Sequence, residues 1–332
     1  MPLAEPPSDH PTIFDPSTCI RKGLCPISSI RHKDDPLRTH SLYYELHGTG
    51  PEKVIFIMGL NSTSFAWEYQ VKHFSCIEDY SVLVFDNRGI GHSSVPKGPY
   101  STSSMADDAI ALLNYVGWTE ARDLHVVGVS LGGMIAQELA LKIPERILSL
   151  TLTVTTAGGR FWSNMSPWKG FSSLFRSVPS AQPEDKIPIV LSMLYPKQWL
   201  DLPAEDGPQG RTNREIEAES FRRRMTVTRP PTFIGSVSQM AAALTHNVSP
   251  ERLNGISRTI PKVTIVIGDE DHLVRVSNSF HLQRHMPEAE FVQWNGTGHG
   301  VPAQQRKRFN VLLERVFAEG KQRAQTDQRT EP

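Results

Sequence analysis

Short runs of consecutive apolar, largely β-branched residues recur along this chain, separated by stretches whose apolar positions fall every three or four residues. The runs are SLYYEL (41–46), VIFIM (54–58), SVLVF (81–85), LHVVGV (124–129), ILSLTLTV (147–154), KVTIVI (262–267) and EFVQW (290–294). A run that is apolar throughout, rather than alternating, describes a strand buried on both faces. Helical spacing between the first runs predicts helices over 62–75, 102–117 and 131–143. Buried strands alternating with helices give an α/β architecture, a doubly wound and mostly parallel sheet.

The alternation stops after the run ending at Val154. From Ala157 to about Asn247 the chain carries Phe161, Trp162, Trp168, Phe171, Phe175, Tyr195 and Trp199, many prolines and the charged, helix-like REIEAESFRRRM (214–225). Sheet-like sequence resumes at Lys262. The expected organisation is therefore a core of 41–156 and 248–319 with an inserted helical cap at 157–247. Aromatic residues of a cap over the sheet ends line a pocket, and Trp162, Trp168 and Phe171 are the candidates. Residues 1–40, rich in Pro, Ser, Asp and His, are expected to form an extended or partly disordered arm, with regular order starting near Tyr43. The polar tail 320–332 is expected to fray.

Charge narrows the range of partners. Thirty-five basic residues balance 35 acidic ones, so no global field draws the protein to nucleic acid or anionic lipid, and a small molecule is the expected partner. Cys19, Cys25 and Cys76 cannot all pair with one another and their spacing matches no zinc pattern, which reads as reduced thiols in an intracellular, cytoplasmic protein. No basic, apolar secretory leader opens the sequence and no run is long enough to span a bilayer. A soluble protein is expected.

Candidate chemistry begins at residues 126–133, VVGVSLGG, which MIAQELALKI follows directly. A strand, a G-x-S-x-G turn and a helix hold Ser130 in a strained conformation with its hydroxyl exposed at the end of a sheet. A serine used as a nucleophile needs a base, an acid to orient the base, and donors for an oxyanion. GDEDHLV (268–274) places Asp269 and Asp271 just beyond one strand, and NGTGHGVP (295–302) places His299 in a glycine-rich loop beyond the next. The chain order is Ser, Asp, His.

With FDNRGIGHSS (85–94) and IMGLNSTSFAW (57–67) added to these segments, the chain from Tyr43 to Phe317 resembles the α/β-hydrolase fold family with a helical cap. The first segment is similar to that family's Asp-x-Arg-Gly-x-Gly-x-Ser turn and the second to its His-Gly-x oxyanion loop, with Met58 where many members carry histidine. The resemblance implies a triad of Ser130, Asp271 and His299, Asp271 being selected over Asp269 by the family's Gly-x-x-Asp spacing from Gly268. It also implies an oxyanion hole made by the backbone N–H groups of Leu60 and Leu131. Asp86, Arg88 and Ser93 are expected to pin their loop rather than take part in chemistry.

The expected function is hydrolysis of a carboxylic ester or related acyl bond through an acyl-enzyme, on a partly apolar, ester or lipid-like substrate. Acyl transfer, carbon–carbon bond hydrolysis on the same triad, and a non-catalytic ligand-binding role are the alternatives. A serine at the elbow argues against epoxide hydrolase and haloalkane dehalogenase chemistry, which use aspartate there. No cofactor or metal is expected, since neither a G-x-G-x-x-G after a strand nor a Walker sequence occurs. His281 and His285 read as a surface pair, Arg222–Arg224 as a solvated helix face, His272 as incidental, and the His10 to Asp15 spacing as chance.

Overall fold

The computed structural model describes residues 10–29, 38–159, 183–205 and 210–330. Eight strands form one sheet: β1 Cys19–Ser29, β2 Arg38–His47, β3 Glu52–Ile57, β4 Tyr80–Phe85, β5 Leu124–Val129, β6 Ile147–Thr153, β7 Lys262–Gly268 and β8 Glu290–Trp294, in the order β1-β2-β4-β3-β5-β6-β7-β8. The pairs β1/β2 and β2/β4 are antiparallel and the remainder parallel. Every residue of β5, β6 and β7 is buried, which is why these segments read as unbroken apolar runs.

Side-chain alternation along each strand feeds two cores. On one face Ile55, Ile57, Leu150 and Ile265 pack with residues of α2 Thr102–Tyr115, α3 Leu131–Lys142, α8 Pro250–Thr259 and α9 Val276–His285. On the other, Val54, Phe56, Val84 and Val266 meet α1 Glu68–Phe74, α10 Val301–Gln304 and α11 Arg306–Thr330. A slip of one residue would exchange the two sets, so the packing fixes the register.

Between β6 and α8 lie α4 Pro183–Leu194, α5 Lys197–Asp201, α6 Asn213–Val227 and α7 Phe233–Thr245. Ile187, Leu191, Tyr195, Leu200 and Ala218 give these helices a small core of their own. The chain enters and leaves this insert through a narrow neck: Gly158 bridges Asn247, the Val248 amide donates to Ala157 O at 2.8 Å and the Gly159 amide to His246 O at 3.2 Å. The insert lies over the loops that follow the parallel strands. Gln239 on α7 bonds Asn61 and Arg88, Glu217 on α6 bonds Tyr69, and Leu194 on α4 bonds Gly300.

The structure departs from expectation at both termini. Part of the expected arm is β1, paired with β2 from Cys19 to Ser29. Its inward positions are Gly23, Cys25 and Ile27 and its outward ones Leu24, Pro26 and Ser28, a period of two in which hydrophobic strength does not mark the buried side. The polar tail does not leave the fold either, because α11 runs to Thr330 with Ala324 buried and Lys321 paired to Glu52. No helix among the described residues is long and apolar enough to cross a membrane.

Candidate active site

Ser130 stands between the last residue of β5 and the first of α3 with φ 56° and ψ −121°, a conformation that costs a non-glycine residue roughly 1–3 kcal/mol. Its surroundings hold it there. The Ser130 amide donates to Thr153 O at 2.9 Å, and the Ser130 carbonyl accepts from the Gly133 and Met134 amides and from Thr155 Oγ1 at 2.7 Å. Glycine is obligatory at position 132, where a Cβ would stand 2.0 Å from Ile57 O. That contact brings the start of α3 against the end of β3, so the turn and the loop after β3 form one unit.

The loop after β3 runs alongside the serine. A Cβ on Gly59 would lie 3.1 Å from Ser130 Cβ, and Leu60 is the next residue. Leu131 opens α3, so its amide belongs to the first turn, whose N–H groups have no acceptor within the helix. Asn87 Nδ2 donates to Met58 O at 2.8 Å, and Gln239 Oε1 accepts from the amide of Asn61, itself at φ 54°. The loop conformation is thus held by side chains, one of them from the insert.

Beyond β7 and β8 the acid and base come together. His299 Nδ1 lies 2.8 Å from Asp271 Oδ2, while Asp271 Oδ1 accepts from the Leu273 and Val274 amides at 2.8 and 2.9 Å. Both residues are buried, Asp271 to 9% and His299 to 7% exposure. Those three bonds satisfy the carboxylate and fix the ring with its Nδ1–H toward Asp271. Asp269 is turned elsewhere, accepting from the Thr297 amide at 3.3 Å. His299 is also positioned from above, since the Gly300 amide donates to Leu194 O at 2.8 Å and a Cβ on Gly300 would lie 2.3 Å from Tyr195 Cε1. Tyr195 and Tyr69 both donate to the buried Glu217 at 3.0 Å. Burial first, and then the Glu217 charge, holds both phenols above their usual range.

Asp86, Arg88 and Ser93 do pin their loop. Asp86 accepts from Ser64 N and Oγ, both at 2.8 Å, and from the His92 amide at 2.9 Å, and complete burial still raises its carboxyl to about 6. Arg88 makes a two-pronged pair with Asp108 at 2.6 and 2.5 Å, and Ser93 Oγ donates to Asp86 O. His281 and His285 are neighbours on α9, ring centroids 4.5 Å apart. Arg222 and Arg223 pair with Glu184 and Glu68. The pocket candidates Trp162, Trp168 and Phe171 lie outside the described residues. Sequence reading missed Gln239, Asn87, Thr155 and Glu217, polar residues that meet the site only through tertiary packing; Tyr195 was visible only as one aromatic among several.

The chain is similar to several known proteins. The model of a family described as alpha/beta hydrolase fold matches residues 53–303. RutD of Caulobacter vibrioides, whose name proposes carbamate hydrolysis, is 28% identical over 278 residues, covering 82% of this chain and 93% of that one. Rhodomycin D methylesterase DnrP of Streptomyces peucetius is 26% identical over 273 residues, covering 75% and 85%. Among solved structures, a thermophilic esterase from Thermogutta terrifontis superposes with a TM-score of 0.68 at 21% identity, over 91% of this chain and 99% of that one.

Proposed function

The chain belongs to the alpha/beta hydrolase fold family, and we propose that within it this protein is a serine hydrolase that cleaves a carboxylic ester through an acyl-enzyme. His299 takes the Ser130 hydroxyl proton as Oγ adds to the substrate carbonyl, and the Leu60 and Leu131 amides receive the oxyanion. The tetrahedral species collapses, expelling the alcohol with the proton that His299 carried. Water, deprotonated by the same histidine, then adds to the acyl-enzyme and releases acid and free serine. Asp271 holds the imidazole in the tautomer that accepts this proton and stabilises its cationic form.

The observation that carries this proposal is the His299–Asp271 contact at 2.8 Å, with the carboxylate's other oxygen taken by two amides. A binding protein has no need of a buried, oriented acid–base pair in the same fold as a strained serine. Residues 157–247 act as the cap over 41–156 and 248–319, and a small, partly apolar substrate enters beneath it. Carbamates present the same carbonyl to the same groups, and the relation to RutD makes them the second substrate class to examine.

Purified protein and Ser130→Ala, treated with a fluorophosphonate probe and assayed on p-nitrophenyl esters and on p-nitrophenyl carbamates, test the proposal. Labelling and turnover are expected in the wild type alone, with kcat falling by about 10⁴-fold or more on loss of the nucleophile. A folded wild type that takes no label and turns over neither substrate class overturns it. Faster turnover of carbamates than of esters keeps the mechanism and replaces the substrate class.

A further inference from the structure

Where β1 begins and β2 ends, Cys19 faces His47 across the strand pair, and Glu45 lies two residues earlier on the same face. The Cys19 thiol, a Glu45 carboxylate oxygen and a His47 ring nitrogen all lie within 4.8 Å of one another. We propose that these three side chains bind a single Zn²⁺ ion, at a site separate from Ser130.

The packing around His47 supplies the main argument. Its Nδ1 lies 2.9 Å from Thr18 Oγ1, which donates to Asp15 O at 3.0 Å. Its Nε2 is fully buried, has no hydrogen-bond partner among the described residues, and stands 3.4 Å from Glu45 Oε2. A buried ring nitrogen left without a partner is costly, and a metal ion shared with the carboxylate and the sulfur uses all three groups. The hydrogen bond from Nδ1–H to an oxygen is the usual support behind a metal-bound histidine. Glu45 is steadied in the same manner, by Tyr43 OH at 2.8 Å and Thr12 Oγ1 at 3.0 Å.

Sulfur, nitrogen and oxygen donors together suit Zn²⁺, and a thiolate with a carboxylate offsets its charge. Zinc bond lengths require donor atoms roughly 3.5 Å apart, so the cluster closes by about 1 Å on binding. Cys19 lines a cleft of about 270 Å³ together with Thr18, Gly48, Cys76 and Glu78, the side from which an ion and a water ligand would enter. Because the cleft includes the turn leading into β4, the site faces the opposite end of the sheet from Ser130. Its role is to fasten the edge strand β1.

The test uses the full chain, freed of metal with a chelator and titrated with Zn²⁺, and with Co²⁺ as a spectroscopic substitute. One ion per chain is expected, with a thiolate-to-cobalt absorption band that Cys19→Ser abolishes. Thr18→Val leaves all three ligands in place and is expected to weaken binding by about 10- to 100-fold, while Cys76→Ser and His281→Ala leave it unchanged. Far-UV circular dichroism of each metal-free variant reports folding, and Thr18→Val serves if Cys19→Ser does not fold. Absence of stoichiometric binding, binding unaffected by Thr18→Val, or equal loss in Cys76→Ser overturns the proposal.

Discussion

A methyl group at Gly300 would stand 2.3 Å from Tyr195 Cε1, so the loop that carries His299 is shaped by a ring from the insert. In Gly300→Ala the loop or the ring must shift by about an ångström, and under the proposed mechanism a displacement of that size at the base costs on the order of 100-fold in kcat. Ester turnover together with circular dichroism checks that activity falls while the fold remains. His246 makes a different prediction. Burial, with a smaller contribution from Arg252, lowers its pKa from 6.5 to about 3, so the native state refuses a proton that the unfolded chain accepts. Its contribution to stability is present above pH 6.5 and is lost as pH falls through about 3. Thermal unfolding of His246→Asn between pH 7 and 4 is expected to show a shallower loss with acid than the wild type. The strained turn at Ser130 and the His299–Asp271 contact fall where the sequence marks them, in short glycine-marked segments next to apolar runs. Gln239 was not legible, since nothing local distinguishes a glutamine that reaches the Asn61 amide from one that faces solvent.

At the level of single elements, legibility followed burial on both faces. Strands β3 to β7 and helices α2 and α3 announced themselves, whereas β1 did not, because an edge strand with Gly23 and Cys25 inward carries little hydrophobic contrast. The end of α11 was hidden for the opposite reason, its polar sequence concealing buried Ala324 and the Lys321–Glu52 pair. Removal of 320–332 is therefore expected to lower stability by about 1–2 kcal/mol, from the lost burial and a partly exposed ion pair. Urea unfolding measures it. The contact between α3 and β3 is far less forgiving: Gly132→Ala puts a methyl 2.0 Å from Ile57 O. Because backbone cannot yield as a flexible side chain does, this variant is expected to lose the elbow geometry and, with it, probe labelling at Ser130.

Across the whole molecule, the sheet order and the two cores follow from apolar runs long enough to be buried twice over, and the insert showed itself as the place where that rhythm failed. Which of its helices meets which loop was not readable, because those contacts are single polar bonds such as Gln239 to Asn61 and Leu194 to Gly300. The neck at Ala157–Gly159 and His246–Val248 has a consequence for descent. Its two strands of chain are already tied by backbone hydrogen bonds, so exchanging the intervening segment for one of another length changes the closure entropy only slowly. A descendant that keeps the neck would therefore tolerate an insert of another length while the sheet beneath stays unaltered.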